Sequence, residues 1–294
     1  MSDRPRTLSS WVFPARSVSR PLLLAVTVGT AYTAIVYAVC LLIQPERPAW
    51  VGEIGLVDTV VVGVLIGFRT KAAYDRWWEG RIVWGELTNQ SRNLCLKVVA
   101  LIDPDLSDRT ELARLIGGFP VALTKHLRGQ VGLQDVPGFE AEVETPGHVP
   151  ASIAGRLIRL VARWRADGRI DGHGHQILDT HTSALMAVCG ACERIRNTPL
   201  PRSYLTLLRD GLLLGLALSP WQLAVTCGAW AIPIQAILIY FLFGIELTAE
   251  EVEQPFGNDP DDLPLERYCE TIQKNVAEIL GLTPLASDLV HKTS

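Results

Sequence analysis

The sequence predicts an all-α integral membrane protein with four membrane helices and a large helical region outside the bilayer. Three observations lead to that fold class. Residues Pro21 to Ile43 carry no charged side chain, Gly211 to Ile245 carry none, and Ile54 to Phe68 carry only Asp58. A bilayer core takes about 20 apolar residues per helix, so the first run is one span. The second is too long for one and suits a pair, broken near Pro220 and Pro233. The third is short for a span, but its helix can continue into the charged stretch beyond it. The chain is 48% hydrophobic and 20% charged, with a formal net charge of −4, values that a soluble domain could also have. The clustering of the charges therefore decides the class, not their sum.

The elements follow in order. Residues 1–20 form a polar lead rich in Arg and are expected on the cytosolic side. The apolar run after them is too long for a secretory signal and has no small-residue cleavage site behind it. Residues 21–68 hold the first two spans, joined by the turn QPERPAW. Residues 69–210 are a cytosolic helical region. Its first helix continues from the second span to about residue 100, where Asp103-Pro104 stops it. Trp77, Trp84, Leu87, Leu94 and Val98 share one stripe of that helix, with Glu79, Glu86, Asn93 and Lys97 opposite. Leu112–Leu127, Ile153–Trp164 and Asp171–Arg196 are further helices, and the Gly/Pro-punctuated acidic segment 129–149 is a loop. Residues 211–247 hold spans three and four. Residues 248–294 contain an acidic turn and one last amphipathic helix, Leu265–Leu280. Lys and Arg concentrate before the first span and between the second and third, which places both termini and the middle region in the cytoplasm.

Few residues carry chemistry on their own. Val60, Val64 and Phe68 recur at i, i+4 and i+8. Such a stripe can form a pore constriction that gates by dewetting, but most membrane-helix surface is apolar, so ordinary packing explains it as simply. Gly63 and Gly67 form a GxxxG pair, which permits close helix packing. Asp58 is an acid inside a span and so a functional candidate, or else a headgroup-level cap. Cys189 and Cys192 have the spacing of a redox motif. They lack its βαβ context and read as buried core residues, as do the other scattered cysteines. His173, His175, Asp179 and His181 could hold a metal only if their start is not helical, since i and i+2 do not share a face. The segment EEVEQPFGNDPDDLPL groups Glu250, Glu251, Glu253, Asp259, Asp261 and Asp262 around a turn. It suits a hard cation such as calcium, a solvated loop, or pairing with the basic middle region. No P-loop, nucleophile elbow, dinucleotide fingerprint or zincin motif occurs, so neither an enzyme nor a nucleic-acid partner is expected.

GFRTKAAYDRWWEGRIVWGELTNQSRN at 67–93 closely resembles the signature of the bestrophins in their bacterial branch. ACERIRNTPLPRSY at 191–204 and QPFGNDPDDLPL at 254–265 fit the same family in the same order, so the resemblance covers essentially the whole chain. It implies a homopentameric ion channel of the bacterial inner membrane, with four membrane helices per subunit and a pore along the fivefold axis. It further implies that Val60, Val64 and Phe68 are the pore neck and that a second, cytosolic constriction lies near Ile177, with Leu178 as its neighbour. Glu251, Gln254, Asp259 and Asp262 match the family's calcium clasp, interrupted here by Pro260. Apolar pore walls do not declare the sign of the ion. Asp58 at the outer mouth would favour sodium-like cations, and middle-region arginines facing the axis would favour chloride. The alternative is a non-conducting membrane scaffold or sensor. No other cofactor is implied, and the partners are further copies of the chain, the lipid bilayer and small inorganic ions.

Overall fold

The computed structural model describes residues 16–43, 50–129, 132–142 and 146–282, with the side chains of 16, 17 and 50–59 outside that description. Among the described residues there is no strand. Eight α-helices succeed one another within those residues: α1 (Arg16–Ile43), α2 (Trp50–Ile102), α3 (Leu106–Leu127), α4 (Val149–Ala166), α5 (Gly172–Asn197), α6 (Arg202–Cys227), α7 (Ala231–Val252) and α8 (Leu265–Ile279). They form two compact units, and α2 passes from one to the other between Trp77 and Trp78.

The first unit contains α1, α2 up to Trp77, α6 and α7. α1 packs on both α6 and α7, and these two pack on each other. Two stretches here, Val18–Ile43 and Arg202–Val252, are long and apolar enough to cross a membrane. Their most apolar windows are only 11% and 17% buried, unlike the core helix of a soluble protein. The second stretch is two helices, which separate near Pro233, as expected, but not at Pro220. Pro220 lies buried inside α6, and the chain turns at a 3-10 segment, Gly228–Trp230. A proline inside a helix deprives the carbonyl four residues earlier of its partner. Here that carbonyl, on Leu216, accepts from Gln235 Nε2 on α7 at 3.0 Å and from Ser219 Oγ at 3.2 Å. The helix therefore survives its proline. The turn falls instead at Gly228, whose φ of 58° suits glycine.

The second unit holds α2 from Trp78, together with α3, α4, α5 and α8. α3 is central, packing against α4, α5 and α8. Of the expected stripe of α2, Trp84, Leu87, Leu94 and Val98 enter a core, all at 0% exposure, whereas Trp77 belongs to the first unit and is only partly buried. Trp84 also lies 5.7 Å, centroid to centroid, from the Tyr268 ring on α8. Side chains open these helices by accepting from orphan amides. Asp105 takes the Asp108 amide at 2.8 Å, Asp171 the Gly174 amide at 2.7 Å, and His148 Nδ1 the Ala151 amide at 3.1 Å. α5 ends before Pro199, as expected for a residue that cannot continue a helix.

Candidate functional site

On α2 in the first unit, one face is buried and the opposite face is bare. Val62, Arg69 and Ala73 are 6%, 2% and 1% exposed. Val60, Val64 and Phe68, one helical turn apart, are 58%, 50% and 59% exposed. The glycines beside them have no neighbour: a Cβ at Gly63 or Gly67 would meet nothing within 4 Å. The close packing expected of that GxxxG pair therefore does not occur within the described part of the chain. Asp58 belongs to α2, but its side chain lies outside the described residues.

Behind this bare face sits a buried cluster of charge that sequence reasoning did not assemble. Arg69 Nε donates to Glu246 Oε2 at 3.1 Å, and its Nη1 donates to Glu253 Oε2 at 2.9 Å. The three side chains are only 2%, 4% and 9% exposed. Arg209 Nη2 reaches Glu246 Oε1 and Glu250 Oε2, each at 3.3 Å. Arg76 Nε donates to the Glu253 carbonyl at 3.1 Å and Trp77 Nε1 to the Asp261 carbonyl at 3.2 Å. A buried charge is tolerable only when paired, and Arg69 is paired twice. The residue directly after Phe68 thus ties α2 to α7. The available signal was local: Arg69 ends the apolar run of α2, and Glu246 ends that of α7.

The acidic turn is partly consumed by these pairs. Glu253 and Glu250 serve Arg69 and Arg209. Of the expected calcium-clasp residues, Glu251, Gln254 and Asp259 lie in the first unit and Asp262 in the second. Glu251 Oε2 is buried without a hydrogen-bond partner, while Gln254 and Asp259 are exposed.

In the second unit, α5 carries Ile177 and Leu178, the two residues at which a cytosolic constriction was expected. Leu178 is fully buried in the core, whereas Ile177 is partly exposed. Only Ile177 has side-chain surface left to line anything. His173, His175, Asp179 and His181 do not gather as a ligand set among the described residues. Instead His181 hydrogen-bonds Gln90 through Nδ1 and Lys97 through Nε2. Burial, and then the Lys97 charge, hold its imidazole below the ordinary histidine range. The unfolded chain therefore binds more protons there than the folded one. Stability from this site is complete above the ordinary histidine value and is lost as pH falls below it. Thermal melts between about pH 5 and 7 are expected to show that slope, and His181→Asn to flatten it. An equal slope in both proteins would contradict the assignment.

Cys189 and Cys192 lie at 0% exposure, as does Cys95. Burial pushes the Cys95 and Cys189 thiols up to about 12 and Cys192 higher still. Thiols so protonated do not act as redox nucleophiles. Among the described residues, the metal-like cluster that the fold does assemble is a different one, His126, His148 and Glu193.

A model of the family described as "Bacterial/Fungal Bestrophin protein" matches residues 1–278. A voltage-dependent anion channel-forming protein of Nostoc sp. is 33% identical, over 84% of this chain and 83% of its own length. One of Mesorhizobium japonicum is 32% identical, over 96% of this chain and 92% of its own. The crystal structure of a bacterial bestrophin homolog from Klebsiella pneumoniae superposes with a TM-score of 0.81 at 21% identity. That match covers 89% of this chain and 99% of the other, and at such identity the likeness is one of fold. These relatives are named for channel formation, not for catalysis.

Proposed function

Because the chain belongs to the bacterial and fungal bestrophin family, we propose that it forms a passive channel for small monovalent anions. Five copies surround a pore in the inner membrane, each crossing it four times with both termini in the cytoplasm. The carrying observation is the bare apolar face of α2. Val60, Val64 and Phe68 lie 50–59% exposed on a helix whose other side is buried and ion-paired. Such a face needs either lipid, a second copy or a pore, and a ring of it acts as a steric and dewetting gate rather than as a ligand. Ile177 is assigned to the cytosolic aperture, as the partly exposed residue of its pair. The anion preference is supported by the names of the relatives, against the Asp58 argument for sodium. Calcium is assigned to the acidic turn, which the buried, unpartnered Glu251 oxygen supports.

Reversal potential in asymmetric chloride salt across a planar bilayer tests this reading. The expected sign is that of chloride. A sodium-like sign would reverse the selectivity and restore the Asp58 reading. Absence of any flux from a well-assembled oligomer would leave a scaffold or sensor.

A further inference from the structure

We propose that His126, His148 and Glu193 form a binding site for a divalent transition-metal ion, with zinc preferred. The three residues come from separate elements of the second unit: the last turn of α3, the N-cap of α4 and the C-terminal part of α5. His126 Nε2 and His148 Nε2 lie 2.7 and 2.8 Å from the same oxygen, Glu193 Oε1. One ligand atom from each of the three lies within 4.8 Å of the other two. The imidazole rings are 4.5 Å apart, centroid to centroid. On α5, one turn before Glu193, lies the fully buried Cys189.

Two imidazoles and one carboxylate are the donor set of three-ligand zinc sites that leave a fourth position open. Imidazole nitrogen is a poor ligand for calcium or magnesium, which take oxygen. The side chains are 18%, 36% and 29% exposed, so an ion can reach them from solvent. Donors on a tetrahedral zinc stand about 3.3 Å apart, so the pairs must open by roughly half an ångström, a small side-chain adjustment.

Proton placement sets the cost. In each ring the proton on Nε2 moves to Nδ1 when the metal takes the Nε2 lone pair. For His148 this gives up the bond from the Ala151 amide. For His126 it puts the proton on a buried nitrogen that has no partner. Together these weaken binding by on the order of a hundredfold, which is small beside the affinities that multi-ligand zinc sites reach. Once bound, the ion would pin α3, α4 and α5 together. The inference does not rest on the channel reading.

The test uses the tag-free full chain in detergent, stripped with chelator and dialysed against zinc, with calcium in parallel. About one zinc per chain is expected, at micromolar affinity or tighter, and calcium at the same concentration should not displace it. X-ray absorption of the zinc-loaded wild type is expected to show a nitrogen and oxygen shell with imidazole scattering. His126→Gln and Glu193→Gln should each weaken binding by roughly a hundredfold or more, while His173→Gln leaves it unchanged. No stoichiometric zinc in the wild type overturns the proposal. So does zinc retained by both variants, or a shell dominated by sulfur, since either places the ion elsewhere. Should the variants misfold, the wild-type stoichiometry and ligand shell decide alone.

Discussion

Arg69→Met is expected to destabilise the protein by about 3–5 kcal/mol, the usual consequence of leaving buried charges without a partner. Two carboxylates lose their counterion at once: Glu246 and Glu253, whose side chains are 4% and 9% exposed. Arg209 still holds Glu246 from the other side, so Glu253 suffers more. Arg69→Lys should recover little, because an ammonium is a point charge and cannot span two carboxylates as the planar fork does. The triple variant Arg69→Met, Glu246→Gln, Glu253→Gln should recover much of the loss. It removes the charges together, and the net worth of a buried pair over neutral groups is small. Lys71→Met is the control. Lys71 also makes an ion pair, with Asp75, but the two side chains are 70% and 54% exposed. Solvent-screened pairs of that kind contribute about 0–1 kcal/mol. Melting of the detergent-solubilised protein, followed by size-exclusion chromatography, reads all four. If Arg69→Met melts with Lys71→Met, the buried network is not what secures α2 to α7.

What the sequence could reveal divides by the range of the interaction. Period alone located the stripe of Trp84, Leu87, Leu94 and Val98, because a helix repeats within the segment being read. The stops at Asp103-Pro104 and Pro199 were local in the same way. Pro220 misled for the converse reason. Locally it breaks a helix, but the Leu216 carbonyl it strands is met by Gln235 from the next helix. Nothing within the α6 segment announces that partner. His126, His148 and Glu193 are 22 and 45 positions apart along the chain, so no spacing motif connects them. The true neighbour of His181 was equally distant, since Lys97 lies 84 residues away. Arg69 was counted for its charge in orienting the spans, yet its burial is a property of the packed helices. Ile177 and Leu178 are adjacent in sequence and differ only in which side of α5 reaches the core. The calcium-clasp residues could be aligned by resemblance, but resemblance could not show that Glu250 and Glu253 are already spent on arginines.

Phe68→Ala and Val64→Ala are expected to raise single-channel current several-fold while leaving the reversal potential unchanged, on the reading that α2 presents its bare face to a pore. Conduction through an apolar constriction is limited by the free energy of keeping water, and with it a hydrated ion, in a narrow unwelcoming space. Truncating a ring of side chains widens that space and lowers the barrier for either sign of ion. Selectivity is set by fixed charge and dipoles elsewhere and so should not move. Phe68 should have the larger effect, because it loses a whole ring where Val64 loses two methyl groups. The control is on the same helix, two residues from Val60. Val62 is 6% exposed, on the packed side. Val62→Ala should lower the melting temperature and leave the current per open channel as it was. Its opposite behaviour separates facing a pore from merely being apolar. Planar-bilayer recordings of the three variants, matched for assembly, make the comparison. If Val62→Ala raises the current as much as Phe68→Ala, the conducting path does not follow the bare face. If Phe68→Ala shifts the reversal potential, the neck selects ions as well as gating them.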